Sequence, residues 1–265
     1  MDAHIKELII LRYDLGETAD KIGQSFGFTG ETIRRVLRHI GKMRSRPEWT
    51  RRYSVNHNCF DSITIDSMYY AGLLMADGNI TKDQTMVQIE LDDKDIELLK
   101  GFKKFLNYSG TIGHRVRFTK KGKRQEMSSL RITSQQIVKS LVKFGVIFQK
   151  CRRSFIPEIV SNSSLAKFFF RGMFDGDGCF GIRHGTFSTG KRYAQLGANP
   201  KIAFVVKEWF TKTLGTTGGL CKRSDLFWAI HYGDTDATTL WKFLYSDQQG
   251  MRLIRKANKF NVPVA

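Results

Sequence analysis

The feature that most constrains the fold is an apolar segment that occurs twice and ends each time in Asp-Gly. The first copy reads Tyr70-Ala-Gly-Leu-Leu-Met-Ala-Asp-Gly78, and the second reads Phe170-Arg-Gly-Met-Phe-Asp-Gly-Asp-Gly178. Each copy and the residues just before it are apolar nearly all round, which is typical of a helix buried on every side. A glycine after the aspartate suits the residue that closes a helix. The chain is therefore expected to bury two equivalent helices.

Small residues in both helices predict that the helices pack directly against each other. They lie four positions apart: Gly72 with Ala76 in the first helix, and Gly172 with Gly176 in the second. Small side chains one turn apart allow two helix backbones to approach closely, since the effect is steric. Side-by-side packing would bring Asp77 and Asp177 together at one end, where each aspartate also faces the negative end of its own helix.

Two aspartates held close together predict a bound cation, because neighbouring like charges are costly unless they are neutralised. The expected ligands are the carboxylates of Asp77 and Asp177 and the main-chain carbonyls of Ala76 and Gly176. Oxygen ligands suit Mg²⁺, with Mn²⁺ able to substitute. Two or more such ions ~4 Å apart activate water and stabilise the leaving oxygen of a phosphodiester. The pattern therefore predicts phosphodiester hydrolysis.

The order of predicted elements also repeats, which indicates an α+β fold made of two similar halves. We assign residues 65–157 to the first half and 158–265 to the second. The first half is expected to hold helices over 66–77, 93–106 and 134–145 and strands over 85–91, 110–119 and 127–133. The second is expected to hold helices over 164–177, 200–214 and 235–246 and strands over 179–187, 192–197, 219–224 and 226–232. Such halves are expected to pack with pseudo-twofold symmetry.

The composition indicates a nucleic-acid partner. Lys and Arg number 43 against 25 Asp and Glu, which gives a formal charge of +18. A folded chain this basic usually meets nucleic acid or an anionic membrane. The sequence has no apolar run of the ~18 residues that a spanning helix needs, no signal peptide and no zinc-ligand cysteine spacing. We therefore expect nucleic acid of some kind as the partner, and no membrane.

Residues 1–43 predict a small helix-turn-helix domain. Helices are expected over 19–26 and 30–40, separated by a turn that contains Gly27. The second of these helices carries three basic residues: Arg34, Arg35 and Arg38. An arginine-rich second helix is typical of one that enters the major groove. A helical bundle with a solvated basic face remains an alternative. Residues 44–64, with Arg51 and Arg52, are expected to form a basic linker along phosphates or a solvated tether.

The two nonapeptides resemble the paired LAGLIDADG motifs of homing endonucleases. Each keeps Gly-x-x-x-x-Asp-Gly, and the order of elements extends the resemblance over about 200 residues. The resemblance implies two pseudo-symmetric αββαββα halves that form a saddle with its sheets astride DNA, preceded by the helix-turn-helix domain. It also implies double-stranded DNA as the partner and a monomer that acts as a pseudo-dimer. The fused helix-turn-helix favours a cytoplasmic or nucleoid location in a phage or bacterium.

The resemblance carries specific roles to residues around the motifs. Asp77 and Asp177 match the metal-binding acids of the family. Lys150 and Lys256, each after the last helix of its half, match a family lysine less well. Gln88 and Gln195, in the second strand of each half, match a position whose polar residue orders the hydrolytic water. These six residues are the expected catalytic set.

The chain departs from the family motif at three positions. Met75 replaces the first aspartate, which Asp175 retains in the second copy; this position does not bind metal in the family, so we expect tolerance. Arg171 stands where alanine is usual, and Gly176 where alanine or serine is common. The asymmetry raises the expectation that the two DNA strands are cut at different rates.

Basic residues in the predicted strands are expected to face DNA. Side chains alternate between the two faces of a strand, so Arg115 and Arg117 share one face. The remaining candidates are Arg131, Arg183, Arg192, Lys222, Arg223 and His231. Arginine can bond guanine edges, although many such side chains contact only phosphate.

The sequence thus predicts a site-specific, metal-dependent DNA endonuclease that acts on a long double-stranded target. Two other functions remain open. One is a non-cleaving transcriptional regulator descended from such an enzyme, which the helix-turn-helix favours and the retention of both acids disfavours. The other is an intron maturase that binds structured RNA with the same saddle.

Overall fold

The protein divides into two units, residues 1–52 and 53–265. The structure, a computed structural model, describes residues 2–15, 17–42, 53–119, 122–184 and 190–260. Arg51 and Arg52 lie outside these ranges, so their predicted DNA contacts are not addressed by the structure. No helix within the described ranges has both the length and the apolar character needed to cross a membrane.

The first unit is a cluster of helices around a small apolar core. Its helices are α1 (Ala3–Asp14), α2 (Ala19–Phe26) and α3 (Gly30–His39). The side chains of Thr18 and Thr29 cap α2 and α3 by accepting hydrogen bonds from main-chain N–H groups of the first turn. Gly27 ends α2 with a φ of 69°, a left-handed conformation that glycine adopts without strain. The buried core consists of Ile9, Tyr13, Ala19, Ile22, Ile33 and Leu37.

The second unit contains the repeated halves. The first half comprises α4 (Ile65–Asp77), β1 (Gly78–Ile80), β2 (Met86–Asp92), α5 (Ile96–Phe105), β3 (Gly113–Phe118), β4 (Arg124–Thr133), α6 (Gln135–Val142) and the short α7 (Lys150–Arg153). The second half comprises α8 (Glu158–Ser161), α9 (Ala166–Gly176), β5 (Gly178–Ile182), β6 (Arg192–Ala198), α10 (Pro200–Leu214), β7 (Gly219–Lys222), β8 (Trp228–Tyr232), α11 (Asp234–Tyr245) and α12 (Ile254–Ala257).

Both sheets have the same topology, which confirms the predicted α+β fold of two similar halves. Each is four-stranded and antiparallel, in the orders β1-β2-β4-β3 and β5-β6-β8-β7. Gln88 pairs with Arg131 across β2 and β4, and Gln195 pairs with His231 across β6 and β8. The two glutamines therefore hold equivalent positions in the repeat.

The boundaries of several elements differ from the sequence prediction. Strand β1 begins directly after Asp77, with no turn, so the end of α4 leads into the sheet. The predicted helix over 93–106 opens with a 3-10 turn, Asp93–Asp95. Residues 53–64, placed in the basic linker by the sequence, pack on the first half instead: Phe60 is fully buried, and the N–H of Asn56 bonds the carbonyl of Leu106 at 2.8 Å.

Each sheet has one face in the core and one face that we call the open face. In β2, Val87, Ile89 and Leu91 are buried in the core, whereas the alternate residues are half-buried. The open face of the first sheet thus carries Gln88, Glu90, Asp92, Arg115, Arg117, Gln125 and Arg131. The same alternation places Cys179, Tyr193, Gln195, Gly197, Cys221 and His231 on the open face of the second sheet.

Helices α4 and α9 touch through their backbones at the predicted glycines. A Cβ atom added at Gly72 would overlap the carbonyl oxygen of Phe169. One added at Gly172 would overlap the carbonyl oxygen of Tyr69 and lie 2.7 Å from the nitrogen of Leu73. The contact therefore excludes any side chain, because the neighbouring atoms belong to main chain that cannot rotate away.

We predict that Gly172→Ala lowers the free energy of unfolding by about 2–3 kcal/mol, since the extra methyl group must force two backbones apart. Urea unfolding followed by circular dichroism measures the change. Gly219→Ala is the matched control, because the nearest atom to a Cβ there is 4.0 Å away. Equal stability of the two variants would show that the helix contact tolerates a larger separation.

Candidate active site

The two predicted acids meet where the helices end. Asp77 is the last residue of α4, and Asp177 follows α9. A Cβ atom added at Gly176 would overlap the methyl of Ala76 and lie 2.7 Å from Asp77 Oδ2. The carboxylate of one helix thus lies against the backbone of the other, as the small residues require.

The surroundings of both carboxylates disfavour their charges. Loss of hydration, followed by the negative charge of Asp177, raises the pKa of Asp77 to about 6 despite the opposing effects of Lys150 and Lys256. Asp177 keeps solvent contact on one side, yet crowding by protein atoms also raises its pKa. The site therefore holds negative charge that the protein itself does not fully compensate.

The two predicted lysines cap the C-terminal ends of the motif helices. Lys150 donates through Nζ to the carbonyl of Ala76. Lys256 is 6% exposed and donates to the carbonyls of Phe174 (2.7 Å), Asp175 (2.7 Å), Gly176 (3.1 Å) and Gly178 (2.6 Å). Helix ends leave carbonyls unpaired and carry partial negative charge, so an ammonium group is stabilised there. Burial lowers the pKa of both lysines.

The two lysines also bond the main-chain carbonyls that the sequence predicts as metal ligands. The oxygens of Ala76 and Gly176 each accept a hydrogen bond from a lysine. Within the described ranges, no cluster of three or more His, Cys, Asp or Glu side chains is placed to hold a metal ion. The protein side chains that remain for a cation at this place are the carboxylates of Asp77 and Asp177.

The two glutamines lie on the open faces, one strand away from the aspartates. Gln88 pairs with Asn79 of β1 and lines a concavity of about 210 Å³ together with Asp77. Gln195 pairs with Cys179 of β5, two residues after Asp177. The structure thus places Gln88 and Asp77 on one cavity wall.

Asp175, which was expected to be a tolerant position, is a buried acceptor. It is 3% exposed and accepts from the hydroxyls of Tyr69 (2.7 Å) and Tyr245 (2.6 Å) and from the N–H of Leu253 (2.8 Å). Its counterpart Met75 is also buried. The repeat spacing of 100 residues aligns Tyr69 with Phe169. In the hydrogen bond between Tyr69 and Asp175, the first half therefore supplies the hydroxyl and the second half supplies the carboxylate.

Arg171, the second departure from the motif, fixes the loop before α12. It is fully buried and donates to the carbonyls of Leu244 (2.6 Å) and Gln249 (2.5 Å) and to Asp247 (2.9 Å). Because this loop leads to α12, Arg171 helps to place Lys256. A lone arginine within an apolar helix is the sequence signal for such a role.

Two contacts between the halves are not predicted by the sequence. Arg255, beside Lys256, forms two hydrogen bonds with buried Asp95 at the start of α5, at 2.8 and 2.6 Å. Asn199, the N-cap of α10, donates to the carbonyls of Ser154 (2.9 Å) and Lys150 (3.3 Å). The closing segment of each half thus bonds to the other half. No local pattern signals either pair, because 160 and 45 residues separate the partners.

Several predicted DNA-contacting residues lie on the open faces. Glu90 holds Arg115 at 2.7 Å and Arg117 at 3.8 Å, and Arg131 lies beside Gln88. On the second sheet, loss of hydration and then the charges of Arg223 and Arg183 lower the pKa of His231. These last three residues therefore form a basic cluster.

Two strand residues were assigned to the wrong face. Arg192 shares a face with buried Ala194 and Leu196, and its guanidinium lies 5.4 Å from the ring centroid of Phe260. Lys222 alternates with Cys221, points to the core side at the sheet edge, and pairs with Asp225 at 2.7 Å. The prediction that both line the concave surface is wrong, because the strand register places the opposite set of residues there.

The arginines of the first unit are placed on α3 as expected. Arg34 pairs with Asp20 at 2.5 Å, and Arg38 pairs with Glu31 at 2.6 Å. Arg35 is exposed. Acidic neighbours therefore pair with two of these three cations.

Comparison with known proteins agrees with this geometry. Residues 65–145 match the model of the LAGLIDADG-like domain. The first half is thus similar to a LAGLIDADG-like domain, and the second sheet repeats its topology. No curated protein sequence matches the chain.

Several solved structures are similar to this chain, and one of them shows the same fold. The homing endonuclease I-WcaI bound to its DNA recognition sequence has 12% identity and a TM-score of 0.52, over 70% of this chain and 82% of its own. The meganuclease I-SmaMI bound to uncleaveable DNA has 15% identity and a TM-score of 0.47, over 72% and 87%. Full-length DUF199/WhiA from Thermatoga maritima has 11% identity and a TM-score of 0.47, over 76% and 62%. The fold assignment rests on the first of these structures and on the domain match.

We predict that Asp77→Asn stabilises the metal-free protein at pH 7.5 by about 2 kcal/mol. Folding raises the pKa of the Asp77 carboxyl, so its protonated form stabilises the folded state below about pH 4. This stabilisation is lost as the pH rises to about 6. The amide removes that loss, so the difference in melting temperature between variant and wild type should shrink toward pH 4.5. Mg²⁺ should then raise the melting temperature of the wild type more than that of the variant.

Asp175→Asn serves as the contrasting variant. The amide cannot accept both tyrosine hydroxyls and the N–H of Leu253, so it should lower the free energy of unfolding by about 1–3 kcal/mol. If both asparagine variants shift stability in the same direction, the assignment of unneutralised charge to Asp77 is wrong.

Proposed function

We propose that the protein is a site-specific, divalent-metal-dependent endonuclease that hydrolyses phosphodiester bonds in a long double-stranded DNA target. The observation that carries the proposal is the meeting of Asp77 and Asp177 at the ends of two helices in backbone contact. A protein that only binds DNA gains nothing from two crowded carboxylates, since DNA is itself an anion. The likeness to I-WcaI, a homing endonuclease bound to its DNA recognition sequence, supports the same function.

The ligand chemistry fits a hard cation. Burial, and then the negative charge of Asp177, raises the pKa of Asp77, and carboxylate oxygens are ligands that Mg²⁺ and Mn²⁺ prefer. Asp77 and Asp177 would hold the ion. When bound, the ion supplies an activated water and neutralises charge on the leaving oxygen.

The chain's own residues surround this place with complementary groups. Lys150 and Lys256, fixed by helix-end carbonyls, bring two positive charges beside the carboxylates. These charges would attract a backbone phosphate to the site. Gln88 and Gln195, on the open faces next to the first strand of each half, would bond a water molecule through their amide groups. Because these parts come from both halves, one chain supplies the whole site.

The open faces of the sheets are the proposed DNA surface. They carry Arg115, Arg117 and Arg131 in the first half and the cluster of Arg183, Arg223 and His231 in the second. A chain with a formal charge of +18 would release many counterions on binding DNA, so its affinity should fall steeply with salt. Glu90, which holds two arginines, would keep them ordered until phosphate or a base edge competes.

We predict that Asp77→Asn and Asp177→Asn each abolish cleavage while DNA binding stays within about threefold of wild type, since each removes one metal ligand and no basic group. The target comes from cleavage of a genomic library with Mg²⁺, read by sequencing the ends. Gel shifts with Ca²⁺ measure binding.

Asp66→Asn is the matched control for this experiment, because Asp66 is exposed at the opposite end of the same helix. Cleavage by both active-site variants would refute the assigned site. Tight, specific binding by the wild type with no break in Mg²⁺ or Mn²⁺ would instead identify a DNA-binding regulator.

We further propose that the first unit is a helix-turn-helix domain that extends the DNA contact on one flank. Support comes from α2 and α3, which are joined by the turn at Gly27, and from the cations on α3, of which Arg35 is exposed. Removal of residues 1–43 should shorten the DNase footprint on one side and weaken binding about tenfold or more, without moving the cut. A moved cut would contradict this role.

A further inference from the structure

An exposed apolar ring lies on the open face of the second sheet. Phe227 is 46% exposed and follows the turn between β7 and β8. The turn is fixed by main-chain hydrogen bonds: the N–H groups of Arg223 (3.0 Å) and Ser224 (2.9 Å) both donate to the carbonyl of Phe227. The ring is thus carried by an ordered hairpin.

The strand register fixes the side on which the ring lies. Lys222 pairs with Trp228, and both belong to the core side of the sheet. The next pair outward, Arg223 with Phe227, therefore belongs to the open face. The influence of Arg223 on the pKa of His231 agrees, since His231 is on that face.

Gly197 provides the place where the ring rests. A Cβ atom added there would overlap Phe227 Cζ and lie 2.7 Å from Cε2. Gly197 follows Gln195 by two residues, just as Glu90 follows Gln88, so the two positions correspond in the repeat. In the first half this position is Glu90, whose carboxylate bonds Arg115. In the second half it is Gly197, and the edge of the Phe227 ring lies over it.

A half-exposed phenyl ring held beside Arg223 on the proposed DNA surface suits a partner group that is apolar and yet part of an anion. Double-stranded DNA offers one such group in its major groove, the C5-methyl of thymine. On the basis of the proposed DNA binding, we propose that Phe227 is a specificity-determining residue that contacts a thymine methyl in the half-site bound by the second sheet. Arg223 lies beside it and is placed for the adjacent phosphate or base.

The test replaces each thymine of that half-site, one at a time, with deoxyuridine, which differs only by the methyl group. Wild-type protein should lose about fourfold in affinity at one position, the change that corresponds to burial of one methyl group. Phe227→Ala should bind the thymine target more weakly and show no further loss at that position. Gly197→Ala, which displaces the ring without removing it, should also reduce this sensitivity.

Phe118→Ala is the matched control. Phe118 is an aromatic residue of β3, 69% exposed, and it alternates with Arg117, so it lies on the other side of its sheet. This variant should keep the fourfold response to deoxyuridine at the same position.

Three outcomes would overturn the proposal. The first is equal binding of wild-type protein to the thymine target and to every deoxyuridine target, and the second is an unchanged position-specific penalty in Phe227→Ala. The third is weaker binding of Phe227→Ala to both targets equally, with reduced DNA bending, which would indicate a wedge between base steps. The target is selected by binding from a random DNA library and the readout is binding alone, so an inactive nuclease leaves the test intact. Absence of any sequence-specific DNA binding would refute the proposed function instead.

Discussion

The backbone contact between α4 and α9 is the constraint on which the rest of the second unit depends. At Gly72 and Gly172 the main chain of one helix touches the main chain of the other, and no side chain fits between them. Because the contact lies at equivalent positions, five residues before each aspartate, the two helices end close together. The position of Asp77 relative to Asp177 is therefore set by rigid secondary structure rather than by loops, which favours precise placement of reacting groups.

This geometry has an electrostatic cost, and the structure offsets it locally. The helix ends bring partial negative charge to a place that already holds two carboxylates. Lys150 and Lys256 each donate hydrogen bonds to the end of the motif helix in their own half, and Arg255 pairs with Asp95 nearby. Burial and the neighbouring charge of Asp177 still raise the pKa of Asp77, despite the two lysines. Functional sites often lower the stability of the free protein in this way, because the same groups that are unfavourable without a ligand bind the ligand more tightly.

The sequence predicted what depends on local pattern and missed what depends on long-range placement. The buried helices and the meeting of their ends followed from small residues four positions apart, which is a property of one turn of helix. The assignment of Arg192 to the open face failed because a strand's register changes face with every residue, and its position had to be known to one residue. The pair Arg255–Asp95 and the acceptor role of Asp175 join residues far apart in the chain, for which a single sequence carries no signal.

The hydrogen bond from Tyr69 to Asp175 determines which halves can be partners. In a hypothetical dimer of two first halves, each Tyr69 would face Met75 and its buried hydroxyl would lose the carboxylate. In a dimer of two second halves, each Asp175 would face Phe169 and lose one of its three donors. Leaving such groups unpaired costs free energy on every copy, whereas the fused chain satisfies both. At this buried position each half is therefore complementary to the other half and not to a copy of itself.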